Sequence, residues 1–303
     1  MAVRRSRWRS IVPIIVLMMV SALSNGQEPN NPATIYRISS AHTCFPELNR
    51  INGYTNDQQF FDFQNHYTDS SVLLVVPAGF HAENGRADLI FWFHGWHNNI
   101  DTALRYYHLD SQFIASHKNA VLVLAEAAKN AADSYGGKLE QSGQFSELVN
   151  DVLSALVRNK RIPRQCGAGN VLLAGHSGAY RVIAYILQNG GVQVQEVELF
   201  DALYSEKDKF MAWMKMDTNH RFINMYTNKG GTDEVSIGMI KDLEQEQVPM
   251  IQTEEDELNG KTLIANKTIF IHSKREHNDI IFNPDNFRLF LETSPFLRPT
   301  KQP

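Results

Sequence analysis

The sequence predicts an α/β fold: a mainly parallel, twisted sheet with helices on both faces. Two observations carry that expectation. From Ser71 onward, short apolar runs alternate with segments of helical spacing, the pattern of strands joined through crossover helices. One of those runs, "ADLIFWFHGW" (residues 87–96), is apolar without alternation, as a strand covered on both faces must be.

The elements follow in order. "SVLLVVPAGF" reads as a strand, "ENGR" as a turn, "ADLIFWFHGW" and "AVLVLAEAA" as buried strands. "QFSELVNDVLSALV" carries Leu148, Val152, Leu153 and Leu156 at helical spacing. "NVLLAGHS" is a strand and residues 178–187 a helix. "VQEVELFDALY", "RFINMYTN" and "KTIFIHS" are strands; "KDKFMAWMKM", "EVSIGMIKDLEQE" and "PDNFRLFLET" are helices, the last opened by Pro284. Residues 27–70 form an N-terminal arm with one edge strand, and residues 71–303 the main domain. At 303 residues, 43% hydrophobic and 20% charged, the chain can close one large core. A net charge of -4, with no basic block beyond the N-terminus, argues against a nucleic-acid partner.

Residues 1–26 have the order of a secretory signal peptide. Arg4, Arg5, Arg7 and Arg9 precede an apolar run from Ile11 to Val20, and small residues follow. Cleavage is expected after Ser24 or Gly26, giving a secreted or periplasmic protein with no stable membrane span. The run is short for a bilayer crossing, which needs roughly 20 residues. Losing the four arginines takes the net charge from -4 to -8. Cys44 and Cys166 either pair across a loop of about 120 residues, a bridge worth at most ~4–5 kcal/mol, or remain free thiols. "NKT" at Asn266 is a glycosylation acceptor in a eukaryotic host.

The segment "NVLLAGHSGAYRVIAYIL" changes period at its middle. A serine hydroxyl is a weak nucleophile until a base takes its proton, and it must stand clear of the sheet to attack. A sharp strand-to-helix turn does this, and Gly175 and Gly178 leave room for it. Ala179 stands where the G-x-S-x-G pattern has its last glycine. The Gly178 amide, at the helix start, has no intrahelical acceptor and can donate to an oxyanion.

On these residues the region from Ser71 onward resembles the α/β-hydrolase fold. "LIFWFHGW" resembles that family's strand ending in His-Gly, and "GHSGA" its nucleophile elbow. "HSGAYR" with "FDALY" looks like a poorly characterised branch of secreted hydrolases. The resemblance implies Ser177 as nucleophile, His277 as base, and the amides of Trp96 and Gly178 as oxyanion hole. For the acid, Asp201 is preferred because its strand holds it in place. Asp233, after the next strand, is the runner-up, with Asp279 or Glu276 behind. His94 braces the oxyanion loop and His176 supports the elbow. His94 and His97 have metal-like spacing but no third ligand pattern, so no metal is expected, and no cofactor is implied.

Trp96, Trp213, Tyr180 and Tyr204 are candidate pocket walls. Only residues 204–219 join the strand after the elbow to the next, so no large lid domain is expected. The connection 129–146 is the candidate movable wall. The expected activity is hydrolysis of a small-molecule or polymer-borne carboxylic ester, or an amide, through an acyl-enzyme. The alternatives are a serine peptidase or amidase, and a non-catalytic binding protein on the same scaffold.

Overall fold

The structure is a computed structural model and describes residues 32–300. The expected signal segment therefore lies outside the described residues. Strands run β1 (Ala33–Ser39), β2 (Tyr54–Asn56), β3 (Gln59–Phe61), β4 (Ser71–Pro77), β5 (Arg86–Phe93), β6 (Val121–Ala125), β7 (Gly167–His176), β8 (Glu196–Phe200), β9 (Arg221–Thr227), β10 (Ile251–Glu254) and β11 (Thr268–Ser273). The α-helices are α1 (Phe63–His66), α2 (Ile100–Tyr106), α3 (Leu109–Ala115), α4 (Gln144–Arg158), α5 (Tyr180–Asn189), α6 (Lys207–Met216), α7 (Asp233–Gln245), α8 (Gly260–Ala265) and α9 (Asn286–Thr293).

One sheet has the order β1-β4-β6-β5-β7-β8-β9-β11-β10. The pairs β1–β4 and β4–β6 are antiparallel; every other pair in it is parallel. β2 and β3 form a separate hairpin.

The apolar strands read without alternation because both faces are covered. Along β5, Leu89, Phe91 and Phe93 enter one core and Ile90 and Trp92 the other. α4, α5, α6 and α7 cover the first face; α2, α3, α8 and α9 cover the second. On α4, Phe145, Leu148, Val149, Val152, Ala155 and Leu156 form its buried stripe. α6 alone spans the stretch from Tyr204 to Asn219, so no large lid is inserted there.

The segment read as an N-terminal arm supplies its edge strand: β1 pairs with β4 from Ala33↔Pro77 to Ser39↔Ser71. It also reaches inward, since Cys44, Phe45, Phe61 and Tyr67 are fully buried in the first core. Cys44 and Cys166 are buried free thiols. α2, α3, β10 and α8 have no counterpart in the sequence reading. They are four to seven residues long, too short for a periodic pattern. The strand expected over 194–204 stops at Phe200, because Asp201 takes a left-handed backbone (φ 46°). Among the described residues, no helix is long and apolar enough to cross a membrane.

The second core contains a charged cluster. Arg221, at the start of β9, forms a fully buried ion pair with Glu196, directly across on β8. Its guanidinium also donates to the Leu263 carbonyl and to Thr293 Oγ1 (3.0 Å). Ser294 Oγ donates to the other Glu196 oxygen at 2.5 Å. Glu198, two residues on, is buried with both carboxyl oxygens unpartnered. Burial, reinforced by the adjacent Glu196 and only partly offset by Arg221, holds its proton well above the usual carboxylate range.

Two outcomes follow for urea unfolding. Arg221→Met strands Glu196 without its countercharge and is expected to lower the unfolding free energy by about 3–5 kcal/mol. For Glu198, the unfolded chain releases the proton near pH 4.5 and the folded chain at much higher pH. Between those points the folded state holds the extra proton, so stability falls as pH rises, by about 1.4 kcal/mol per pH unit. Glu198→Gln mimics the protonated form. It is expected to match the parent protein at pH 4 and exceed it at pH 8.

Candidate active site

The apolar strand β7 ends at His176, and the chain turns sharply at Ser177, whose backbone is left-handed (φ 56°). A single 3₁₀ turn, Ser177–Ala179, leads into α5. Glycines make this turn possible. A Cβ on Gly175 would lie 2.6 Å from Ile183 Cδ1 and 2.7 Å from Ala179 Cβ. One on Gly95, just past β5, would lie 2.5 Å from Ser177 Cβ, and one on Gly178 would lie 2.6 Å from Trp96 Cδ1. The end of β5 and the elbow thus interlock with no space for side chains between them.

Asp201 follows β8, the strand beside β7. Its carboxylate is fully buried and accepts from His277 Nδ1 (2.6 Å), Thr227 N (3.0 Å), Thr227 Oγ1 (2.7 Å) and Thr232 Oγ1. Burial opposes its ionisation, but the hydrogen bonds from His277, Thr232 and Thr227 outweigh that and bring its pKa below the ordinary value. Gly230 completes the cradle: a Cβ there would lie 1.6 Å from Asp201 Oδ2 and 2.8 Å from His277 Nδ1. His277 itself lies on the loop after β11 and is part-exposed.

The other acids stand elsewhere. Asp233 opens α7, where it accepts from Asn228 Nδ2 at 3.3 Å. Glu276 pairs with Lys229 on the surface, and Asp279 begins a 3₁₀ turn. None of the three bonds His277.

Ser177 and His277 lie over the same edge but are not hydrogen-bonded to each other. Beside them the Tyr204 hydroxyl donates to the Gly230 carbonyl (2.7 Å). Burial, with Asp201 nearby, pushes the Tyr204 pKa up to about 12. The link between Ser177 and His277 runs through His176: its ring lies 4.4 Å from that of His277, and its Nε2 meets the His277 carbonyl at 3.0 Å.

On the opposite side, the Trp96 amide has no acceptor among the described residues. Gly178 N–H lies in the opening turn of the 3₁₀ segment, without an intrahelical acceptor. The Trp96 side chain is half-exposed and held by Nε1–H donation to Ser134 Oγ (2.8 Å). His94 is buried, with Nδ1 at 2.8 Å from the Gly95 carbonyl and Nε2 at 2.7 Å from Glu126 Oε1. Both its nitrogens are thereby engaged. Among the described residues, no group of three His, Cys, Asp or Glu side chains is arranged to hold a metal.

Tyr180 and Tyr204 flank the elbow with rings 5.9 Å apart. Trp213 is core instead, buried on α6 and stacked on His220 at 4.4 Å. The connection 129–146 is tied down rather than free: Asp133 accepts from Arg50 (2.6 Å) and Tyr67 (3.1 Å), and Glu140 from Arg181 (2.6 and 2.9 Å). The sequence reading missed Thr227, Gly230, Thr232 and Glu126. None of these carried a local signal.

Neither a family model nor a curated protein matches the chain. Solved structures do. A ferulic acid esterase is 10% identical, with a TM-score of 0.51, over 87% of this chain and 100% of its own. A ferulic acid esterase from the anaerobic fungus Anaeromyces mucronatus is 13% identical, with a TM-score of 0.51, over 89% of this chain and 93% of its own. The feruloyl esterase module from Clostridium thermocellum is 10% identical, with a TM-score of 0.50, over 89% of this chain and 90% of its own. At these identities the likeness is one of architecture, and with the strand order and the turn after β7 it gives the conclusion that this chain has the α/β-hydrolase fold.

Proposed function

We propose that the protein is an exported serine hydrolase that cleaves a carboxylic ester through an acyl-enzyme, with Ser177 as nucleophile, His277 as base and Asp201 as the acid that orients it. One observation carries this reading above the others: a buried carboxylate, fed by three further hydrogen bonds, grips His277 Nδ1 at 2.6 Å beside a serine held in a left-handed turn. That grip leaves Nε2 as the free nitrogen, the atom a general base needs.

In the reaction, the Ser177 hydroxyl turns about χ1 toward His277 Nε2. His277 takes the proton as Oγ attacks the carbonyl carbon. The amides of Trp96 and Gly178 hold the negative oxygen, and the proton on His277 passes to the departing alkoxide. Water then enters and attacks the acyl carbon as it gives a proton to His277, and His277 passes that proton to Ser177 Oγ as the acid leaves. Hydrogen bonds of this kind are often long before substrate binds and tighten in the complex. Export rests on the basic front and apolar run of residues 1–26.

The one observation favouring a non-catalytic binding protein is that no hydrogen bond joins Ser177 to His277. A fluorophosphonate separates the two readings. The folded protein is expected to be labelled at Ser177, and Ser177→Ala to abolish both labelling and turnover of short p-nitrophenyl esters. Folded protein that takes no label overturns the hydrolase reading. Asp201→Asn is expected to lower turnover by about 10⁴-fold, while Asp233→Asn leaves it unchanged. The reverse ranking would move the acid to Asp233.

A further inference from the structure

His176, the residue before the elbow serine, is buried between Tyr107 on one side and the backbone of His277 on the other. Tyr107 follows α2 and is also buried; its hydroxyl lies 3.1 Å from His176 Nδ1 and 3.0 Å from the Asn278 side-chain oxygen. His176 Nε2 lies 3.0 Å from the His277 carbonyl. That carbonyl only accepts, so Nε2 carries the hydrogen.

Burial, with the neighbouring His277, pushes the His176 pKa down to about 3, so at neutral pH the ring has one N–H and Nδ1 is an acceptor. The donor within reach of Nδ1 is the Tyr107 hydroxyl, and burial raises the pKa of that phenol, keeping its proton in place. With the single phenolic proton given to His176, Asn278 satisfies the Tyr107 oxygen by presenting its NH₂, an orientation that hydrogen-bond matching decides.

We propose that Tyr107 and His176 are a positioning pair for His277: the Tyr107 hydroxyl fixes His176 in the Nε2–H tautomer, and the resulting bond to the His277 carbonyl sets the height of that loop over the sheet. The wrong tautomer would place a lone pair against the carbonyl and push the loop away. This rests on His277 being the base. The His176 ring also packs against that of His277 in a tilted contact, with centroids 4.4 Å apart, so a shift of the loop disturbs both contacts.

The test combines a spectroscopic and a kinetic readout. In ¹⁵N-histidine-labelled protein, His176 is expected as the Nε2–H tautomer from pH 5 to 8, and Tyr107→Phe is expected to admit the Nδ1–H form. The same substitution is expected to slow Ser177 labelling and kcat by about tenfold, with KM unchanged. His176→Gln keeps an N–H donor for the carbonyl and needs no Tyr107. In that background, Tyr107→Phe should have no further effect. An Nδ1–H tautomer in the parent protein, or an equal loss from Tyr107→Phe in both backgrounds, overturns the proposal. If the parent protein takes no label at Ser177, the hydrolase reading falls, and the tautomer spectra still decide whether Tyr107 governs His176.

Discussion

The site depends on how closely the end of β5 approaches the turn after β7. At Gly95 even a methyl group would collide with the Ser177 side chain. At Gly175 it would collide with α5. Serine in a left-handed conformation is disfavoured by about 1–3 kcal/mol and persists only where its surroundings over-determine it. Here they do: β5 and β7 are paired up to Phe93↔Gly175, and the chain leaves both strands within two residues of that pair. The same approach brings the Trp96 side chain against Gly178, where a Cβ would lie 2.6 Å from Trp96 Cδ1, so the strained turn and the two amides of the proposed oxyanion hole come from one packing event.

Much of this architecture was legible from residue patterns. The strands β4, β5, β6 and β11 are nearly continuous apolar runs, since a sheet covered on both faces leaves little alternating polar sequence to blur them. The elbow was legible because a turn that tight demands glycines at particular offsets. What escaped lacked either signal. α2 and α3 are seven residues each; α2 was marked only by its N-cap, where the Asn99 side chain accepts from Thr102 N. Thr227 and Thr232 were invisible as partners of Asp201, because nothing local to a threonine records a carboxylate 26 or 31 residues away.

The two aspartates show how position, and not identity, divides the roles. Asp233 sits at a helix start, part-exposed, where a carboxylate interacts favourably with the helix dipole. Asp201 sits at a strand end, sealed from water, with its oxygens saturated by fixed donors. A carboxylate in the second setting cannot swing, so the imidazole bound to it is aimed as well as polarised. Spacing along the sequence left both open; the geometry separates a carboxylate at a helix start from one held in a cradle.

That cradle is built from two strands, so it stands or falls with their register. β8 contributes Asp201, and β9 contributes both Thr227 donors. At the far end of the same two strands, Glu196 and Arg221 face each other in the buried ion pair. Between them the ladder runs unbroken to Phe200↔Met225, and Asp201 N then donates to the Met225 carbonyl at 2.7 Å. A slip of one residue would turn Glu196 or Arg221 to the opposite face, burying an unpaired charge in an apolar core. It would also carry Thr227 away from Asp201. Buried pairs of this kind seldom add net stability, but removing one partner is expensive, which makes them good at excluding alternatives. The charged cluster beneath β8 and the carboxylate above it therefore act on one variable, the alignment of β8 with β9. The structural demand of the core and the geometric demand of the proposed base are met by the same ladder.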